Sequence, residues 1–207
     1  MKKYGYGVPK QVRPEREWQY DGDVSELFSS HFKNYGKPYD AADYGITQLG
    51  KNEADGDDDK YIAWYNEFVK TNFAMNVGWC AIFASWCIGQ TGSLVKSQKE
   101  VRNDFDRPAF SNSDMGLMTY IKMHRFVSGP SYIPQRGDIL FLTNKTNREQ
   151  KKMSMVSDML YRPTHVAIVV AVNERENYVT TIEGNCSDKV KLINRYLINP
   201  NIVGYGY

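Results

Sequence analysis

The sequence predicts an α+β protein, with N-terminal helices packed on an antiparallel β-sheet, and three observations carry that prediction. Before about residue 125, apolar residues recur at helical spacing, as at Ile62, Trp64, Tyr65 and Phe68 of KYIAWYNEFV. After Pro134 the texture changes to β-rich runs: ILFLT, HVAIVVAVN, NYVTTIEGN, VKLINRYL and IVGYGY. Turn residues separate these runs with no further helical segments between them, so alternating βαβ units do not fit.

In chain order, residues 1–40 read as a Tyr-, Pro- and Arg-rich extension with one short helix over DVSELFSSHF, where Val24, Leu27, Phe28 and Phe32 are spaced helically. Residues 41–207 read as a single domain of suitable size. AADYGITQLGKNE places Ala42, Ile46, Leu49 and Glu53 along one helix, and the acidic loop DGDDD leads into KYIAWYNEFV, with an Asp as its cap. GWCAIFASWC opens a third helix, apolar nearly all round and therefore central. SDMGLMTYIKMH reads as a fourth, capped by Ser113, and PQRGD is the turn that introduces the strands. The Gly/Tyr repeats at the two ends suggest a flexible start and an edge strand.

Composition excludes several classes of function. Lys plus Arg is 26 against 24 Asp plus Glu, a formal net charge of +2 with no dense basic stripe, so nucleic acid is not an expected partner. The longest apolar run, VAIVVAV, is far too short to span a bilayer, and MKKYGYGVPK has no apolar segment behind it to make a signal peptide. Three cysteines is an odd number, which argues against a disulfide-stapled scaffold and leaves at least one thiol free. No cofactor or metal is expected. DGDDD has no glycine at the sixth position and no terminal bidentate Glu, as an EF-hand calcium loop requires, and no Cys/His pairs stand at zinc spacing. His31 and His124, without acidic partners at useful spacing, read as structural or solvated.

Cys80 and Cys87 lie two helical turns apart, roughly 10 Å along the axis at about 1.5 Å per residue, beyond the reach of a disulfide. Cys87 sits among apolar neighbours and is most simply a core residue. Cys80 stands at the start of the helix, behind Gly78 and Trp79, where free amides and the positive end of the helix dipole favour a thiolate and can donate to an oxyanion. On position alone it is a candidate nucleophile or another small buried residue.

The strands supply candidate partners. A hairpin closed at Glu174–Glu176 sets Asn173 opposite Asn177, Ala171 opposite Val179, Val169 opposite Thr181, Ala167 opposite Glu183 and His165 opposite Asn185. A slip of two sets His165 opposite Glu183. In either register His165, Glu183 and Asn185 share one face, because strand side chains alternate with period two. Ala167 and Ala171 share it too and leave room there for the helix that begins at Cys80. A thiol, an imidazole and a polar group behind it make the nucleophile, base and orienter of a cysteine hydrolase; a purely structural His165–Glu183 pair is the alternative.

QLGKNE, WCAIFASWC, PQRGD, HVAIVVAV, the EGN of Glu183–Asn185 and the closing IVGYGY, in that order, resemble the CHAP family of cysteine, histidine-dependent amidohydrolases and peptidases over about residues 41–207. The resemblance implies a papain-like fold acting on bacterial peptidoglycan. Cys80 is then the nucleophile, His165 the general base, Glu183 the residue that orients the imidazole, and Asn185 a supporting residue. It also implies that the bond attacked is the amide joining muramic acid to the stem peptide, or a peptide bond of the stem or cross-bridge. A non-catalytic wall-binding module on the same fold is one alternative. A cysteine peptidase or acyltransferase acting on proteins is another.

Three features depart from the family pattern. NKTNREQKKMSMVSDMLYRP lengthens the connection into His165 and is expected to cap the cleft. Cys186 follows Asn185 and is expected either to point away from His165 or, if the strand bends after Gly184, to turn back towards the cleft as an oxidation partner for Cys80. No separate wall-binding domain is visible, so any targeting is expected to fall to the extension or to another polypeptide. Without a signal peptide, the expected setting is a phage lysin, a tail-associated hydrolase or a delivered effector, cytoplasmic until it reaches the wall.

Overall fold

A computed structural model of the chain describes residues 17–96, 98–103, 106–129, 132–144 and 162–207. It begins with strand β1 (Glu17–Gln19) and helices α1 (Ser30–Tyr35), α2 (Ala41–Ile46), α3 (Asp59–Val69) and α4 (Cys80–Gln90). Short strands β2 (Leu94–Val95) and β3 (Arg107–Pro108) lead to helix α5 (Ser113–Lys122) and strand β4 (Phe126–Val127). Strands β5 (Ile139–Leu142), β6 (His165–Asn173), β7 (Tyr178–Glu183), β8 (Lys191–Tyr196) and β9 (Ile202–Gly206) complete the chain. Among the described residues, seven strands form one antiparallel sheet in the order β1-β8-β7-β6-β5-β9-β4, so the chain is α+β; β1 of that sheet precedes the helices and its other six strands follow α4. The parallel pair β2–β3 has no counterpart in the sequence reading.

Several elements differ from expectation for local reasons. The segment DVSELFSSHF breaks into a 3-10 turn at Val24–Leu27 and helix α1, because the Ser29 hydroxyl accepts from the Phe32 amide at 3.1 Å and starts a new helix. Helix α2 ends at Ile46, short of Leu49 and Glu53. The backbone there pairs with the segment before β8, Gly50 N–H donating to Val190 O at 3.1 Å and Val190 N–H to Lys51 O at 2.8 Å. Asp58 stands at the start of α3 without capping it; its carboxyl is buried with one oxygen unpartnered, and burial raises its pKa. Asn112 caps α5 in place of Ser113, accepting from Met115 N–H at 2.9 Å, while the Ser113 hydroxyl donates to Pro163 O at 3.0 Å. IVGYGY is not an edge strand but lies between β5 and β4. Gly206 allows this, since a Cβ there would fall 2.5 Å from the Tyr120 ring. MKKYGYGVPK lies outside the described residues.

The sheet has two apolar faces. Ile139, Phe141, Val166, Ile168, Val170, Ile182, Leu192 and Val203 join the helices in the main core, where α4 buries Ala81, Ile82, Phe83, Ala84, Cys87 and Ile88. Leu140, Leu142, Ala167, Val169, Val179 and Tyr205 form a second cluster on the opposite face. Truncating a large member of either cluster to Ala costs about 2–5 kcal/mol.

Arg136 ties these layers together. Its guanidinium donates to Asp40 Oδ2 and Asp43 Oδ1 at 2.7 Å each, to Leu27 O at 2.7 Å and to Val170 O at 3.0 Å. The Val170 carbonyl is available because β6 bulges there: Val169 pairs with Thr181 but Ala171 with Thr180. Asp43 is fully buried, so removing Arg136 would strand its charge at a cost of about 3–5 kcal/mol. The turn before β5 thereby fixes the segment around α2 to the sheet that carries His165.

Candidate active site

The site begins with Trp79, which is wholly buried, stacks on Tyr61 at a centroid distance of 5.8 Å and donates its indole N–H to Glu53 Oε2 at 3.1 Å. Helix α4 starts at the next residue with no side-chain cap, which leaves its first-turn amides unclaimed by a capping group. The half-buried Cys80 thiol occupies that helix start and hydrogen-bonds with the His165 ring and with the backbone amides of Val166 and Ala81. Burial opposes its ionisation, yet the hydrogen bond and charge of His165, helped by the two amides, lower its pKa below the ordinary thiol value.

His165 opens β6 opposite Leu142, so its side chain belongs to the face that carries Ala167 and Val169. Helix α4 packs on the other face, against Val166, Ile168 and Ile182. The expectation that Ala167 and Ala171 make room for the helix is therefore overturned: Ala167 lies on the far face, and the bulge moves Ala171 to the near one. Thiol and imidazole meet instead at the end of the sheet, where β6 begins. The expected Val169–Thr181 pair is present, but the same bulge replaces the pairings of Ala171 with Val179 and Asn173 with Asn177 by Ala171–Thr180 and Asn173–Tyr178. Below the bulge the parity holds, and His165 and Glu183 share a face.

The His165 Nε2 lies 2.9 Å from Glu183 Oε2, which leaves Nδ1 as the ring nitrogen available to the thiol. Burial works against a charged imidazole, but Cys80 and Glu183 together raise its pKa to about 10. Glu183 is fully buried at the end of β7, and that burial would keep it protonated were it not for the charges beside it. Arg195 and His165 hold it ionised, with a pKa lowered to about 2. Arg195 Nη2 donates to Oε2 at 3.1 Å, Nη1 bonds Oε1, and the Thr181 hydroxyl donates to Oε1 at 2.5 Å.

Asn185 adopts a left-handed backbone conformation just beyond β7, with its side-chain amide beside the Gly78 backbone. It lines a cleft of about 330 Å³ together with His165, Glu183, Cys186, Thr143 and Asn201. Gly184 explains how the strand end comes so close to the helix start: a Cβ there would lie 2.6 Å from Phe83 Cβ and 2.7 Å from the Trp79 ring. The following loop is braced by the chain after α2, with Glu53 N–H donating to Asp188 O at 2.9 Å. Left-handed conformations at Asn185, Ser187 and Asp188 bend it back, so Cys186 lines this cleft beside His165 and Glu183; Cys80 is not among the residues that line it. All three cysteines are free thiols; burial, then the charge of Glu183, raises the Cys186 pKa, and burial alone pushes Cys87 far higher.

The remaining histidines lie elsewhere: His31 stacks on Tyr39 and meets the Tyr35 ring at a tilt, and the His124 carbonyl accepts from the Tyr207 hydroxyl. Among the described residues no cluster of His, Cys, Asp and Glu could hold a metal ion, and no helix is long and apolar enough to cross a membrane. Most of the segment expected to cap the cleft, residues 145–161, lies outside the described residues.

The family model of the CHAP domain matches residues 71–185, more than half of the chain. This chain belongs to the CHAP family. Comparison with curated proteins and with solved structures gave no match. The matched span of the CHAP domain begins just after α3 and ends at Asn185, so it holds Cys80, His165, Glu183 and Asn185. Membership points to amidase or peptidase activity on peptidoglycan. Arg195 and Glu17 lie outside the span, and the sequence reading missed both. The only signal was a cationic residue inside the apolar and amide-bearing run LINRYL, in a strand that Lys191 also opens; the turn from β7 to β8 left its register open.

Proposed function

We propose that this CHAP protein is a thiol-dependent peptidoglycan hydrolase that cleaves the amide between muramic acid and the stem peptide, or a peptide bond of the stem or cross-bridge. The observation that carries the reading is the continuous contact from the Cys80 thiol through His165 to Glu183, made at a helix N-terminus. In the first half-reaction the Cys80 thiolate adds to the amide carbonyl, and the oxyanion is met by the free amides at the start of α4. The imidazolium of His165 gives its proton to the departing amine as the C–N bond breaks. Water then attacks the thioester, His165 accepts its proton, and the carboxylate product leaves with Cys80 restored. Glu183 fixes the ring so that Nδ1 faces the sulfur. Asn185, beside Gly78, supports the site from the cleft side.

Digestion of purified peptidoglycan, with the released ends identified by mass spectrometry, tests this reading and assigns the bond. New amino termini on stem peptides, made by the wild type and not by Cys80→Ser, are expected. An intact wall, with or without hydrolysis of protein substrates, would refute it.

A further inference from the structure

Resting on that reading, we propose that Arg195 is a positioning residue: its guanidinium neutralises Glu183, so that the imidazolium of His165 takes the Cys80 thiolate as its counter-ion instead of the carboxylate.

The geometry is specific. Arg195 Nη2 and Nη1 both engage the Glu183 carboxylate, Nη1 also donates to the Thr181 hydroxyl at 3.1 Å, and Nε donates to Glu17 Oε2 at 2.9 Å. Both partners of the central pair are buried, the Arg195 side chain 4% exposed and that of Glu183 fully enclosed, whereas Glu17 is 53% exposed. β1 places Glu17 directly opposite Arg195 on β8, so the segment that precedes the helices holds the outer end of this chain of charges.

Charge accounting gives the consequence. A thiolate, an imidazolium and a carboxylate enclosed together carry a net negative charge, which a site of low dielectric disfavours strongly. The cheapest relief is to protonate the thiol, leaving His165 paired with Glu183 and the nucleophile inactive. A guanidinium on the carboxylate brings the group to neutrality with the thiolate formed. Arginine suits the role because it stays protonated when buried and grips a carboxylate with two donors. The titratable groups that face this cluster among the described residues are Cys80 from α4, His165 from β6, Glu183 from β7 and Cys186 from the loop after it. Lys191 and Arg195 from β8, Glu17 from β1 and Tyr205 from β9 complete the set.

The test is the pH dependence of Cys80 alkylation by iodoacetamide in the full chain, read on the Cys80 peptide by mass spectrometry so that Cys186 does not contribute. In the wild type Cys80 should alkylate at lower pH than an ordinary thiol. Arg195→Met should move the curve towards higher pH by about one unit and slow alkylation near pH 6 about tenfold. Arg195→Lys, which keeps the charge, should recover most of the wild-type curve. Arg195→Met combined with Glu183→Gln removes both charges and should recover low-pH reactivity as well, which loss of a merely structural contact cannot do. If Arg195→Met does not fold, as judged by circular dichroism, Arg195→Gln, which removes the charge but keeps a donor, takes its place with the same expected shift. A normal wild-type curve centred where an ordinary thiol titrates would sink the thiolate–imidazolium reading itself. A shifted wild-type curve left unchanged by Arg195→Met, or a double variant slower than the single one, would overturn the role of Arg195 and leave that reading standing.

Discussion

His165 and Glu183 stand on neighbouring strands with Nε2 and Oε2 2.9 Å apart, and this contact turns the other ring nitrogen towards Cys80. Glu183→Gln keeps a hydrogen-bond acceptor but removes the charge that favours the imidazolium. Its kcat on peptidoglycan should fall by about 10²–10⁴-fold with little change in KM, the range expected when a general acid–base group loses its orienting partner. Steady-state kinetics with a soluble stem-peptide substrate would measure it, and a variant with wild-type kcat would remove Glu183 from the mechanism.

The pH profile follows from the direction of two shifts. The Cys80 pKa is lowered below the ordinary 9.0 and that of His165 is raised from 6.5 to about 10, so the reactive thiolate–imidazolium form exists between them. kcat/KM should climb below the pH at which an ordinary thiol ionises, as Cys80 loses its proton, and fall as His165 deprotonates near pH 10. The two limbs belong to the coupled pair, not to either residue alone. Rates measured across this range that keep rising through pH 9, as an unassisted thiol would, would contradict the pairing.

Gly184 lets α4 press against the end of β7, with Phe83 Cβ and the Trp79 ring where its own Cβ would be. Gly184→Ala must push the helix start, and Cys80 with it, away from His165. The cost should be about 1–3 kcal/mol in stability by overpacking, together with about a tenfold or greater loss in kcat. Thermal melts and kinetics on the same preparation would check it; an unchanged enzyme would mean that the approach is looser than described.

Much of the site was legible in the sequence because its geometry is periodic. Alternation along HVAIVVAV and TTIEGN places His165 and Glu183 on one face when the hairpin pairs as expected; the turn observed pairs Asn173 with Tyr178, and the bulge at Val170 restores that parity. The apolar run CAIFASWC demands a buried helix with Cys80 at its start. The Val170 bulge was not legible, since it serves the Arg136 clamp, whose partners Asp40 and Asp43 lie far away in sequence. It is this bulge that defeats the argument from Ala167 and Ala171 about where the helix packs. The end of α2 at Ile46 was hidden for a similar reason, because it depends on pairing with Val190. Arg195 escaped notice because a β7–β8 register cannot be read across the turn between them, and Glu17 because a strand of only Glu17–Gln19 carries no pattern of its own.

The thiol of Cys80 as the attacking group is tested most directly by titrating the enzyme with iodoacetamide at neutral pH and following residual wall-lytic activity against the fraction of each cysteine modified. Cys80 should react first, and activity should fall in proportion to its modification, reaching zero when one equivalent is bound, while Cys87, wholly buried in the core, stays unmodified. Full lytic activity in enzyme whose Cys80 is completely alkylated would contradict the mechanism.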